Sequence, residues 1–474
     1  MIPHIPILRH GEVYESVDKI ELFHHATGEV VARVSQANSG LIVRDISHMD
    51  GAALERFSVS ELIRLCKRAS ELFATATLPL GDGRQTYAEY LQQLSATTGM
   101  PIAYCKANAE KIRRVLAEVE TVVRGLTRGF DLSILDRGYG DDGGRTLSFH
   151  REARVFGAVL PSNSPGVHGL WAPSIALKAP TVVKPGREEP WTPFRMFQAF
   201  IAAGISKAAL GFYPTDHAGA RALLESVDRA MLFGDTSTTQ PWRADRRVEI
   251  HGPGFSKVIL GNDAAGDWER HLDLIVSSIT ANCGRSCINT SAVWTPRNGR
   301  ALAEAMAKRL AGVEALSADD PNATVAAFGD AGMAERISAL IDQGLREEGA
   351  VDLTERLRGS SRLVRRGRCA YLLPTIVWCE DRAHPLANRE FLFPYASVVE
   401  CPTSEMPQAI GRTLVVSAIT NDRGFVGSLM ASPNVDRLNI GPIPTWQLSW
   451  DQPHEGNLFE HLYRQRAFQI ESAA

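Results

Sequence analysis

The feature that most constrains this chain is a change of hydrophobic period that recurs between residues 154 and 260. Short apolar runs at 155–160, 181–183, 208–210 and 231–233 alternate with stretches long enough to form a helix. A short apolar run followed by a helix-length segment is the mark of the βαβ unit, and repeated units build a parallel sheet. Such sheets bind ligands beyond the carboxyl ends of their strands, where the loops gather. A site is therefore expected in the residues that directly follow the apolar runs.

The 474 residues suffice for several domains at about 100–200 residues each. With 51 Lys and Arg against 54 Asp and Glu, the net charge of −3 leaves neither a basic footprint for nucleic acid nor an acidic disordered tail. The seven cysteines are odd in number and thinly spread, unlike a secreted disulfide framework, and are expected to be reduced. The segment Met1-Ile2-Pro3-His4-Ile5-Pro6 lacks the charged start and long apolar stretch of a signal peptide. No run of about 18 apolar residues is present to span a membrane. These features predict a soluble, cytoplasmic protein that partners neither membrane nor nucleic acid. The 13 histidines show no HExxH and no paired-cysteine spacing, so no metal site is expected.

Outside the alternating region, Ser58-Val59-Ser60-Glu61 reads as a capping box opening a helix through Phe73. Ile112, Val115, Leu116, Val119, Val122, Val123 and Leu126 share one face of a second helical pattern. Helical patterns return over 297–345, and short strands are expected at 371–377 and 395–399. Gly138-Tyr139-Gly140-Asp141-Asp142-Gly143 matches the dinucleotide fingerprint G-x-G-x-x-G by letter, but an alternating, strand-like run follows it instead of a helix. Two aspartates would also repel a pyrophosphate, whereas Asp142-Gly143 is a strong hairpin signal. The segment is read as a turn.

The loops after the apolar runs carry a more coherent set. Asn163 lies in Pro161-Ser162-Asn163-Ser164-Pro165, and Lys184 precedes Pro185-Gly186. Gly234 follows Phe233, Glu249 opens Glu249-Ile250-His251-Gly252, and Cys287 ends Gly284-Arg285-Ser286-Cys287. A thiol to attack a carbonyl, an amide to hold an oxyanion and a carboxylate to activate water are the parts of a covalent redox reaction. A lysine and a glycine able to hold a nucleotide complete the set.

In this order, and with Arg389-Glu390-Phe391-Leu392-Phe393-Pro394 further on, the motifs resemble those of the aldehyde dehydrogenase superfamily over about residues 154–439. The resemblance implies an α/β fold with a Rossmann-type nucleotide-binding domain, an α/β catalytic domain and a bridging β-hairpin. It implies Cys287 as the nucleophile, forming a thiohemiacetal whose oxyanion is held by Asn163 and the Cys287 N–H. Hydride transfer to NAD or NADP leaves a thioester, and Glu249 activates the water that hydrolyses it. Lys184 would bind the adenosine ribose, Gly234 would admit the phosphates, and Glu390 would hold the nicotinamide ribose. His168 and Trp171 would line the substrate tunnel. Arg187 stands where NAD-preferring members often carry a glutamate, and a cation there tolerates a 2′-phosphate.

The implied organisation is a nucleotide-binding domain from 1–130 and 151–250, an oligomerisation hairpin at 131–150, a catalytic domain at 251–432 and a C-terminal return at 433–474. A homodimer or homotetramer acting on a small aldehyde follows. Coenzyme A-acylating chemistry is the alternative, since Glu-Leu-Gly-Gly is altered around Glu249. A noncatalytic scaffold that retains the fold is the second. Cys283, four residues before Cys287, is read as a packing residue. Trp446 and Trp450 read equally as pocket or core.

Overall fold

The computed structural model describes residues 2–470. The alternating region forms most of a seven-stranded sheet in the order Val248–His251, Arg229–Phe233, Phe156–Val159, Thr181–Lys184, Leu210–Phe212, Ile7–Arg9, Glu12–Tyr14. The first five strands are mutually parallel, and the last two add antiparallel to the edge. Phe156–Val159 is buried along its whole length, and so is all of Arg229–Phe233 beyond its first residue. A strand covered on both faces reads as a continuous apolar run and not as an alternation, so the runs were visible in the sequence. The run at 208–210 is displaced: Lys207–Ala209 is a 3₁₀ turn, and the strand begins at Leu210.

A second seven-stranded sheet follows in the order Ala350–Asp352, Thr375–Cys379, Tyr395–Glu400, Ala292–Thr295, Lys257–Leu260, Thr413–Ile419, Val435–Ile440. All its pairings are parallel except that of Ala350–Asp352. The strand expected at 371–377 is divided. Cys369–Leu372 pairs with Leu363–Arg366 in a separate ribbon, and Thr375–Cys379 enters the large sheet. Pro374, which has no N–H to donate, lies between them.

Ser58 caps the helix Val59–Thr75 with the reciprocal Glu61 contact of a full capping box. The pattern expected over 112–126 is two helices, Ile102–Ala117 and Val119–Leu126, broken at Glu118. The fingerprint-like glycines belong to a hairpin in which Tyr139–Asp142 pairs with Arg145–Arg151. Gly143 and Gly144 hold φ of 61° and 81° at its turn, a conformation that glycine adopts without strain. Tyr463–Gln465 adds to the other edge of Arg145–Arg151 and makes a three-stranded sheet. Among the described residues, no helix is long and apolar enough to cross a membrane.

Candidate active site

Loops from both large sheets line one continuous cavity of about 1540 Å³. Asn163, Arg187, Gly234, Glu249, Cys287 and Glu390 all reach it. These residues are scattered over nearly half the chain, and the fold brings them to a single surface.

Cys287 is half-buried on a loop held from several sides. Its carbonyl accepts the Ser256 hydroxyl at 2.7 Å, and the Ser286 N–H donates to Asn289 Oδ1 at 2.8 Å. Asn282 Nδ2 donates to Ser286 Oγ at 2.8 Å and to Ser164 Oγ at 3.0 Å, while its Oδ1 accepts from Asn108 Nδ2 at 2.6 Å. One amide thus joins the helix Ile102–Ala117, the Asn163 loop and the Cys287 loop. Asn282 and Cys283 both occupy the left-handed region, with φ of 52° and 57°, which kinks the turn ahead of Cys287. Cys283 is buried, and burial pushes its thiol up to about 12, consistent with a packing residue. The Cys287 thiol is also raised well above its ordinary value, chiefly by burial and then by the charges of Glu455 and Glu390, with Lys111 opposing.

Asn163 Nδ2 donates to the Arg285 carbonyl at 2.7 Å, which ties its loop to the loop of Cys287. His168 and Trp171 do not line the cavity. Both are fully buried: His168 Nε2 meets Glu189 at 2.7 Å, its Nδ1 accepts Trp171 Nε1 at 3.0 Å, and Trp171 packs edge-on against Phe197. The segment enters as a 3₁₀ turn, Pro165–Val167, before the helical turn His168–Trp171, so Val167, Gly169 and Leu170 face the cavity instead. Trp446 and Trp450 both line it.

Lys184 ends its strand half-buried; it is not among the lining residues, and burial lowers its pKa. Arg187 and Glu188 line the cavity, whereas Glu189 turns inward to His168. Gly234 approaches the next turn so closely that a Cβ would lie 2.8 Å from the Thr238 side chain. Beside it, Asp235 accepts the Thr238 N–H and the Ser237 hydroxyl, each at 2.8 Å, which lowers its pKa and leaves a carboxylate facing the cavity. The Glu390 carboxylate accepts the Gly254 and Phe255 N–H groups at 3.2 and 2.5 Å. Burial nevertheless raises it to about 7.

Glu249 lies on the edge strand Val248–His251, its Oε1 3.0 Å from His251 Nε2. Gly456 sits against it: a Cβ there would fall 2.7 Å from the Glu249 carboxylate.

A family model described as "Aldehyde dehydrogenase family" matches residues 13–411. The chain belongs to the aldehyde dehydrogenase family. A curated relative, 2-hydroxymuconic semialdehyde dehydrogenase of Pseudomonas putida, is 30% identical over 204 residues, a stretch covering only 40% of each protein. Among solved structures, indole-3-acetaldehyde dehydrogenase of P. syringae, bound to NAD+ and IAA, superposes with a TM-score of 0.79 at 16% identity, covering 98% of this chain and 96% of that one. Aldehyde dehydrogenase of Bacillus cereus, bound to NAD+, gives 0.77 at 16% identity, covering 99% and 97%. A 3,6-anhydro-L-galactose dehydrogenase bound to NADP gives 0.79 at 14%, covering 99% and 100%. The fold is that of an aldehyde dehydrogenase, a Rossmann-type nucleotide-binding part and a catalytic part.

In this aldehyde dehydrogenase fold several cavity residues escape motif reading. Lys111 and Asn108 reach the site from the helix Ile102–Ala117, whose periodicity shows only its core face. His454 and Gly456 line it from the C-terminal segment. Trp446 and Trp450 were the one sequence signal in this segment, and they did not indicate where it goes.

Proposed function

We propose that this protein oxidises an aldehyde to a carboxylic acid with NAD or NADP, through a thiohemiacetal and a thioester on Cys287. The observation that carries this reading is the convergence of Cys287, Asn163, Glu249 and Glu390 on one cavity that also offers Gly234 and Arg187. That cavity suits a dinucleotide: the close approach at Gly234 keeps a side chain out of the way, and Arg187, Ser237 and Thr238 supply a cation and two hydroxyls. The names of the relatives, all aldehyde dehydrogenases, agree with it. A bound nicotinamide ring supplies the hydride acceptor.

The protein's own residues do the rest. The Cys287 sulfur, once deprotonated, adds to the aldehyde carbon. Asn163, fixed through its bond to the Arg285 carbonyl, retains a second amide N–H for the oxyanion, together with the Cys287 N–H. Glu249 takes a proton from the water that attacks the thioester. Arg187 holds the adenosine end, and Glu390 the nicotinamide ribose. Tyr139–Asp142 is an edge strand of the hairpin sheet, exposed at three of its four residues, and we assign it to pairing with a second subunit in a homodimer or homotetramer.

The test is a panel of aldehydes with NAD or NADP, with and without coenzyme A, following the reduced cofactor. Turnover without coenzyme A, abolished in Cys287→Ala with dinucleotide binding retained, is the expected result. Strict dependence on coenzyme A assigns acyl transfer instead, and silence with an unlabelled Cys287 assigns a scaffold.

A further inference from the structure

His251 occupies a place where a small residue would leave Glu249 unaccompanied. It is buried, and its ring stacks on Phe233 at 4.4 Å with an interplanar angle of 15°. One nitrogen meets Glu249 at 3.0 Å, and the other lies 2.8 Å from Glu455 Oε2, an ionic contact outside the alignment of a hydrogen bond. Glu455 holds φ of 54°, a left-handed conformation disfavoured for a residue with a Cβ. The next residue, Gly456, lies against the Glu249 carboxylate. The segment bearing both is anchored beyond the site, where Asn457 Nδ2 donates to the Leu126 carbonyl at 2.9 Å. Upstream, a Cβ on Gly125 would lie 2.2 Å from the Asp451 carbonyl oxygen. The left-handed turn is thus held between two fixed points, and what it delivers is a second carboxylate to His251.

We propose that His251 and Glu455 are positioning residues for thioester hydrolysis: His251, shared between two carboxylates, fixes the Glu249 side chain against the C-terminal segment and aims it into the cavity. The inference rests on the oxidation reading above. In the step concerned, a water O–H bond breaks and its proton passes to Glu249. The water oxygen bonds to the thioester carbon, the C–S bond breaks, and its electron pair stays on the Cys287 sulfur. Nothing is oxidised or reduced in this half. Glu249 lines the cavity and Glu455 does not, so Glu249 is the carboxylate that meets water.

The groups facing His251 are Glu249 on its own strand, Glu455 and His454 on the C-terminal segment, and His461 on the helix Leu458–Leu462. Burial acts most strongly and would lower the His251 pKa, but the two carboxylates outweigh it and raise the value to about 9. His251 is therefore a cation below that pH and loses its charge above it. Deacylation should then fall on the alkaline side.

The experiment is rapid-mixing kinetics on His251→Gln and Glu455→Gln, reading the first-turnover burst of reduced cofactor and the steady state across pH. Both variants should keep the burst while the steady-state rate drops about tenfold or more, as a misplaced catalytic group does. The alkaline limb near pH 9 should vanish in His251→Gln and move to lower pH in Glu455→Gln. An intact burst with an unaltered steady state in both variants overturns this inference alone, and so does loss of the burst in both. A wild-type protein that reduces no cofactor overturns the oxidation reading together with it.

Discussion

Gly254 packs against the carbonyl of Cys287 so closely that a Cβ on it would lie 2.0 Å from that oxygen and 2.8 Å from the carbonyl carbon. The contact joins the loop after the Glu249 strand to the loop of Cys287, and the Ser256 hydroxyl on the same carbonyl reinforces it. Both partners at the clash are backbone, so neither side yields without moving its loop. Gly254→Ala is expected to lower kcat by about 100-fold, the scale of a 1 Å misplacement at a reacting centre. Dinucleotide affinity, measured by fluorescence titration, should weaken as well, because the same loop donates its Gly254 and Phe255 N–H groups to Glu390.

The charges around Cys287 predict how its reactivity responds to pH. Burial, Glu455 and Glu390 hold the thiol protonated, and the thiolate is the nucleophile, so alkylation by iodoacetamide should accelerate as pH rises through the alkaline range. Lys111 is the cation that opposes these influences, and none of the ion pairs among the described residues includes it. Lys111→Met should slow labelling at pH 8 by about threefold or more, because loss of a nearby cation disfavours the thiolate. Mass spectrometry of the Cys287 peptide over time reads this directly. An equal rate in both proteins would remove Lys111 from the electrostatics of the nucleophile.

Much of this arrangement was legible in the sequence for a physical reason. Strands covered on both faces leave apolar runs, and a parallel sheet puts its site just after them, so Asn163 and Gly234 could be located from the pattern alone, whereas Glu249 lies within its own strand. The side-chain directions of His168 and Trp171 were not legible. A 3₁₀ turn advances about 120° per residue and an α-helix about 100°, so a short mixed segment changes phase in a way no periodicity resolves. The contact of His251 with Glu455 was hidden differently. It depends on where an irregular C-terminal segment returns, and a left-handed glutamate has no compositional signal. The division at Pro374 and the break at Glu118 differ again, since the proline was visible in the sequence and the apolar face of 112–126 continues across Glu118.

Asp235 puts a negative charge beside Gly234, on the side of the cavity assigned to the dinucleotide. Its structural task is to cap the short turn Thr236–Thr239, which serine performs equally well. Asp235→Ser therefore removes the charge and keeps the cap. The KM for either dinucleotide should fall about threefold to tenfold, the effect of removing about 1 kcal/mol of like-charge repulsion in a wet cleft. Thermal stability should stay within a degree or two, about what an exposed cap exchange allows. A raised KM would show that Asp235 binds the dinucleotide, for instance through a ribose hydroxyl.

The choice between NAD and NADP is expected to turn on Arg187. Its side chain is exposed and lines the cavity, while Glu189, the second acidic residue after it, is spent on His168 and on the Thr192 N–H at 2.9 Å. Glu188 remains at the cavity, so an accepting carboxylate and a cation stand side by side. A 2′-phosphate is attracted by the guanidinium, which binds it through paired N–H donors, whereas a bare ribose gains little from it. Arg187→Glu should lower kcat/KM for NADP about tenfold or more and change that for NAD by less than about threefold. Steady-state rates with each cofactor at fixed aldehyde decide it. If wild type and variant share a strong NAD preference, Arg187 does not contact the 2′-position and the adenosine ribose is held by Glu188.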